Sequence, residues 1–275
     1  MLKTDTILDQ IIADKKLRIE QLKFNISFSE LRSQVEASVK TEPHQFYDAI
    51  KNPDIGCKLI AEIKRQSPSA GTFNDQFSLE NINNAYQASK SVVAISVLTE
   101  EDHFKGSTED LTYVNTHSKH RKPVLRKDFI FDPYQIYESQ LLGASAFLLI
   151  ARLFSRSELQ DLITLGKSIG LEPLVEIHSQ AELDQVAGTS ARCIGVNSRD
   201  LQTFEIDYKL HTLLFQLDDK YARVAESGIG NPAYLHSLMP HIDAALVGSL
   251  FMKSQNISEA INTFVSDFHK EDNEK

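Results

Sequence analysis

Eight short runs of β-branched and aliphatic residues recur along this chain: KLIAEI at 58–63, SVVAISVL at 91–98, KPVLR at 122–126, AFLLI at 146–150, LEPLVEI at 171–177, RCIGVN at 192–197, YARVAE at 221–226 and AALVG at 244–248. Short apolar runs without alternation suit strands covered on both faces. Between most of them lies enough chain for a helix, and several of these segments open on a recognisable cap. Ser107 with Asp110, Asp132 with Pro133 and Gln135, Ser157 with Gln160, Ser179 with Glu182, and Asn231 with Pro232 each put a short polar acceptor where unpaired helical N–H groups need one. Strands alternating with helices build parallel sheets. Eight of them within residues 58–248 predict an α/β fold, a single (β/α)8 TIM barrel. An open doubly wound sheet would leave strands unplaced, and neither GxGxxG after the first run nor GxxxxGK[ST] occurs.

At 275 residues the chain suits one large domain. Apolar side chains at Ile7, Leu8, Ile11, Ile12, Leu17, Ile19 and Leu22 predict an amphipathic helix over 5–23, with further helices over 28–39 and 44–51. The expected organisation is therefore an N-terminal helical extension at 1–55, the barrel at 56–267 and a polar tail at 268–275. A net charge of −9 excludes the broad positive footprint of a nucleic-acid surface, but leaves room for a few cations around a small anion. Cys57 and Cys193 stand outside any CxxC or His/Cys cluster and read as reduced thiols, so neither a disulfide nor a metal is expected. The N-terminus mixes both charge signs and lacks a signal peptide's apolar stretch, and AFLLIA at 146–151 is too short to span a bilayer. The expected location is the cytoplasm, without membrane or nucleic-acid partners. A monomer is expected, with a weak homodimer as the alternative.

Barrel enzymes gather their chemistry at the C-terminal strand ends, where a charge in an otherwise buried run needs a reason. After the first run, Glu62 and Lys64 share one face and point to the mouth, as a rim ion pair or as site residues; Ser67, Pro68 and Ser69 form a donor-rich turn beside them. In LRKDF, Lys127 emerges at the mouth, Arg126 faces the helices or the surface, and Asp128 holds a loop or a lysine. A lysine that is desolvated or set among cations has its pKa lowered toward the range useful for proton transfer, and this is the expectation for Lys127. Glu176 in LVEIH is a carboxylate in apolar surroundings, and His178 reads as a loop or helix-start residue. Asn197 and Arg199 share parity, the second suited to a planar carboxylate. Gly228, Gly230, Gly248 and Ser249 lie in turns after the seventh and eighth runs, where late barrel loops commonly cradle a phosphate; ordinary glycine turns are the alternative.

The stretches ILDQIIADKK, LIAEIKRQSPSAG, SVLTEEDHFKGS, PVLRKDFIFDPYQIYE, LEPLVEIH, IGVNSRDLQTFEID, VAESGI and LVGSLF, in this order, resemble the indole-3-glycerol-phosphate synthase family over nearly the whole chain. The resemblance implies ring closure of 1-(2-carboxyphenylamino)-1-deoxyribulose 5-phosphate, with loss of carbon dioxide and water, and no metal or redox cofactor. It implies Lys127 as main general acid, Glu176 as general base, Lys64 as assisting acid, and Glu62 and Asn197 as organisers of the polar network. Arg199, helped by Ser67 and Ser69, would meet the anthranilate carboxylate; Pro68, Phe104, Phe129 and Leu148 would wall the aromatic ring, with Leu201 packed nearby. Ser227, Gly228, Gly248 and Ser249 would hold the phosphate. Two positions depart from the family: Ser145, where an acidic residue is common, and Leu250, where a smaller side chain is usual. A phosphoribosylanthranilate isomerase-like enzyme and a catalytically silent sugar-phosphate-binding barrel are the alternatives.

Overall fold

In the computed structural model all eight runs form strands, and the reason lies in their covering. Every residue of β1 (Leu59–Ile63), β4 (Val92–Leu98), β5 (Val124–Lys127), β6 (Ala146–Ile150), β7 (Glu172–Ile177) and β10 (Ala244–Val247) is buried, and β8 (Cys193–Asn197) and β9 (Ala222–Glu226) are buried but for one residue each. All neighbours pair in parallel, in the order β1-β10-β9-β8-β7-β6-β5-β4, and β1 with β4 closes the barrel. The structure describes residue 2 and residues 7–37, 45–67, 71–72, 78–117, 120, 122–200 and 202–271, with only the backbone of Ser67 and Thr72. Pro68, Ser69 and Leu201 lie outside it. After β1 a two-residue antiparallel hairpin, β2 (Gln66–Ser67) with β3 (Gly71–Thr72), stands where the sequence predicted only a turn.

Helices α4 (Leu79–Ala88), α5 (Thr108–Thr116), α6 (Pro133–Leu141), α7 (Arg156–Ser168), α8 (Gln180–Val186) and α9 (Pro232–Leu238) cover the barrel, followed by α10 (Ser249–Met252) and α11 (Ile257–Lys270). Between β8 and β9 the covering segment Tyr208–Gln216 is a 3₁₀ helix. Four of the five expected caps stand as read: Ser107, Asp132, Ser179 and Asn231 all accept from first-turn N–H groups. The fifth is corrected. α7 is capped by Ser155, whose box partner is Glu158, while the Gln160 side chain instead reaches Thr164 and Ser190. SRSELQ contains two overlapping boxes, and the one with the charged partner starts the helix. α11 runs through Lys270, with its own Ile261, Phe264 and Phe268 buried. Among the described residues no helix is long and apolar enough to cross a membrane.

The extension folds as α1 (Ile7–Asn25), α2 (Phe28–Ala37) and α3 (Gln45–Lys51). α1 buries Leu8, Ile11, Ile12, Lys15 and Ile19, one stripe at three- and four-residue spacing, while Leu17 faces solvent. A lysine in that apolar stripe requires anions to meet it. Lys15 Nζ lies 2.8 Å from Asp128 Oδ1, just past β5, and 3.0 Å from Glu101 Oε2, just past β4. Burial works against the charged amine, but the two carboxylates outweigh it and hold its pKa up. Asp128 also accepts from Thr99 at 2.6 Å and from Arg126 at 3.2 Å, and although burial opposes its ionisation, Lys15 and Arg126 hold it at about 2. Asp128, the residue after Lys127, thus ties the extension to the end of β5.

Removing one partner of a buried pair strands the other, so Lys15→Met should cost about 3 kcal/mol or more. Asp128 would keep Arg126, and Lys15→Met with Asp128→Asn should therefore be more stable than the sum of the single losses. Urea unfolding midpoints of the four proteins measure this coupling, and strict additivity would remove the pair from the account.

Candidate active site

A cavity of about 420 Å³ opens at the C-terminal ends of the strands. A larger depression of about 550 Å³, with Lys16, Glu20, Asp132 and Glu158 in its lining, involves the outer side of α1 and α7 and none of the strand-end charges. The strand-end cavity brings together Glu62, Lys64, Lys127, Glu176, Asn197 and Arg199. Phe104, Phe129, Leu148, Ser227, Gly228, Gly248 and Ser249 also line it. Every site residue expected from the sequence whose side chain is described therefore faces one space. Leu250 lines it too, so that departure lies in the wall of the cavity.

The polar centre is an interlocked charge cluster. Lys127 Nζ lies 2.5 Å from Glu176 Oε2 and 2.8 Å from Glu226 Oε2, with all three side chains buried. Burial favours the neutral amine, yet Glu176, Glu226 and Glu62 outweigh it and push the Lys127 pKa far above the ordinary lysine value. The expectation of a lowered pKa is thus corrected: the neighbours of this lysine are carboxylates, not cations.

The two carboxylates diverge. Burial resists ionisation of Glu176, but Lys127 and His178 overcome it and hold the group at about 2. For Glu226, burial, reinforced by Glu176 and only partly relieved by Lys127, pushes the group up to about 8. One cation between two buried carboxylates leaves a proton on the pair, and Glu226 is where it resides.

Sequence reading missed Glu226. It ends β9 as Lys127 ends β5, and it pairs in register with Asn197, so the rule that selected the others selects it as well. Gly195, across on β8, makes its room: a Cβ there would fall 2.0 Å from Glu226 Oε1. Gly248 does the same for β1, since its Cβ would fall 2.4 Å from Glu62 Oε2 and 3.1 Å from Lys64 Nζ, whose mutual contact is 2.5 Å.

Glu226 yields a test of the electrostatics alone. Its folded pKa lies above its unfolded value, so the folded chain holds an extra proton between the two and loses stability as pH rises through that window. Relative to wild type, Glu226→Gln should therefore gain thermal stability progressively from about pH 5 to about pH 8. A Tm difference that stays flat across that range would show that Glu226 is ionised throughout.

Around this centre, Arg199 is half-buried and donates to the Phe204 carbonyl at 2.9 Å; burial lowers its pKa from the ordinary arginine value. The Phe104 and Phe129 rings stand 5.9 Å apart at 38°, an apolar wall. On the far side, Ser227 and Gly228 both take positive φ, 63° and 72°. Left-handed backbone at a non-glycine residue persists where its surroundings enforce it. Here Ser198 Oγ donates to the carbonyls of Glu226 and Ser227, at 3.2 and 3.3 Å.

Comparison with known proteins gives consistent results. A sequence profile described as Indole-3-glycerol phosphate synthase matches residues 8–264. The indole-3-glycerol phosphate synthase of Acetivibrio thermocellus is 39% identical over 261 residues, covering 94% of this chain and 98% of that protein. That of Lachnospira eligens is 37% identical over 272 residues, covering 96% and 99%, and that of Campylobacter jejuni strain RM1221 is 36% identical over 261 residues, covering 94% and 100%. Among solved structures, KGPDC from Streptococcus mutans superposes with a TM-score of 0.57 over 78% of this chain and 98% of that one; at 12% identity the likeness is one of fold.

Proposed function

The chain belongs to the indole-3-glycerol phosphate synthase family, and on that premise we propose that it closes the indole ring of 1-(2-carboxyphenylamino)-1-deoxyribulose 5-phosphate, releasing carbon dioxide and water. The observation that carries the reading is the Lys127–Glu176–Glu226 cluster at the mouth: a charged proton donor, an ionised acceptor and a protonated carboxyl within hydrogen-bond reach of one another.

The substrate is a small anion with an aromatic ring, and the cavity offers each part a complement. The backbone N–H groups around Ser227, Gly228, Gly248 and Ser249 suit the phosphate. Arg199 suits the ring carboxylate, and Phe104, Phe129 and Leu148 suit the ring. Holding both ends folds the flexible sugar so that its carbonyl carbon meets the ring carbon bearing the carboxylate.

As that carbon–carbon bond forms, Lys127 gives a proton to the carbonyl oxygen, which becomes a hydroxyl. Glu226, 2.8 Å away and protonated at neutral pH, replaces the proton on Lys127. Loss of carbon dioxide returns its bonding pair to the ring. Glu176 then accepts the proton whose departure forms the final double bond, while a lysine, Lys127 with Lys64 assisting, protonates the leaving hydroxyl as water. Glu62 holds Lys64, and Asn197 hydrogen-bonds Glu176, so each ionisable group keeps its direction. The apolar walls keep these charges in a medium where they act strongly.

Incubating the purified protein with this substrate, without added metal or nicotinamide, and following indole fluorescence tests the reading. Product formation supports ring closure. No product from folded, substrate-binding protein would leave a silent barrel, and consumption of phosphoribosylanthranilate instead would make it an isomerase.

A further inference from the structure

Three donors converge on one carbonyl at the end of β9. The Glu226 carbonyl accepts from the Ser198 N–H at 3.1 Å and from Ser198 Oγ at 3.2 Å. The third contact is His211, whose Nε2 stands 3.0 Å away. A carbonyl oxygen only accepts, so Nε2 carries a proton and donates. The other ring nitrogen, Nδ1, lies 2.7 Å from Tyr234 Oη. Burial lowers the His211 pKa from its ordinary value, so at neutral pH the ring is neutral and Tyr234 donates into Nδ1. Tyr234, on α9, thereby fixes the tautomer that the carbonyl needs.

His211 is fully buried in the 3₁₀ segment between β8 and β9 and does not line the cavity, so it acts on a bound substrate only through what it holds. What it holds is the peptide that opens the Ser227–Gly228 turn. The C=O and N–H of one trans peptide point in opposite directions. Here the carbonyl is held toward β8 and its covering segment, and β10 lies on the other side of β9. The Ser227 N–H is therefore sent toward β10, the side on which Gly248 lines the cavity. Among the described residues neither the Ser227 nor the Gly228 N–H has an acceptor. The outer side of the turn is closely packed: a Cβ on Gly228 would fall 2.9 Å from Ile206 Cγ2 and from Tyr208 Cε1, next to the segment that carries His211.

We propose that His211, backed by Tyr234, is a positioning residue for the substrate's phosphate: it anchors the Glu226 carbonyl and so keeps the Ser227 N–H aimed into the cavity. The proposal rests on the reading of the Ser227–Gly228 turn as part of the phosphate site. It gives the segment between β8 and β9 a part in binding although no side chain of Tyr208–Gln216 lines the cavity.

The test compares wild type with His211→Leu, His211→Gln and Tyr234→Phe. The glutamine amide keeps a donor for the carbonyl and leucine keeps only bulk. Inorganic phosphate is the probe, titrated into the unliganded protein while the Ser227 and Gly228 amide signals are followed by nitrogen-15 NMR, which needs no turnover. In His211→Leu the dissociation constant should rise about tenfold, the worth of one misdirected hydrogen bond to a charged group. In His211→Gln it should stay within about twofold of wild type, because the donor to the carbonyl is kept. The KM for the substrate should follow the same order while kcat stays within about threefold, as for a group that acts on binding alone.

Equal phosphate affinity in wild type and His211→Leu overturns the proposal. So does an equal loss in His211→Leu and His211→Gln, which is the mark of ring packing. Should His211→Leu fail to fold, Tyr234→Phe decides: with Nδ1 released the ring takes both tautomers, and the dissociation constant should rise about threefold. An unchanged constant there overturns the proposal too. These outcomes leave the phosphate reading standing, whereas phosphate that moves neither amide signal in wild type overturns that reading and the proposal together.

Discussion

Lys127→Ala lowers kcat by about three orders of magnitude, within the range that a positioned general acid contributes. In the folded protein this one ammonium contacts both Glu176 and Glu226. Truncation removes the donor to the substrate carbonyl and leaves two buried carboxylates facing each other, so part of the cost appears as stability, about 3 kcal/mol. That cost should shrink as pH falls, because a second proton on the pair replaces the missing cation. The losses of turnover and of stability are thus of comparable free energy and separate by their pH dependence. Indole formation under saturating substrate, set beside urea unfolding at two pH values, measures both. Turnover within tenfold of wild type in a folded variant would take the acid role away from Lys127.

Glu176→Gln should lose a comparable share of kcat, about two to four orders of magnitude, and almost none of its stability. The amide keeps the shape of the carboxylate and can still accept from Lys127. It also removes the repulsion that helps hold Glu226 up at about 8. Glu226 then ionises more readily and becomes the counter-charge of Lys127, 2.8 Å away, so the cluster stays neutral without the base. The variant should therefore melt near the wild type while binding substrate with little change in KM. Near-normal kcat would show that another group takes the final proton.

How far the sequence carried these conclusions depends on the range of the interaction that sets each one. The strands were legible because their signal is local: a run covered on both faces must be apolar throughout, and all eight runs form strands. Side-chain parity at their ends was equally local, and it brought Lys127, Glu176, Asn197 and Arg199 to one mouth. The charge state of Lys127 was not legible, because it depends on Glu176 and Glu226, 49 and 99 positions away. Gly248 was read only as part of a turn for a ligand, but it also makes room for Glu62 on the neighbouring strand, and Gly195, which the sequence did not single out, makes room for Glu226. Ser155 was passed over for Ser157 because two capping boxes overlap in SRSELQ, and the charge of Glu158 favours the first of them. Lys15 did carry a local signal, a lysine within an apolar stripe, but its partners lie beyond β4 and β5.

The same lysine bears on how the chain is made. Synthesis runs from the N-terminus, so α1 leaves the ribosome long before the strand ends that receive it; Glu101 follows Lys15 by 86 positions and Asp128 comes later still. Over that interval the stripe of Leu8, Ile11, Ile12 and Ile19 has no barrel to cover it. The ammonium in its middle keeps the waiting helix hydrated and discourages its apolar side from meeting another nascent chain, as a gatekeeper charge does. Once β4 and β5 are in place, Glu101 and Asp128 withdraw that charge from water, and the residue that protected the unfinished chain becomes the clasp of the finished one.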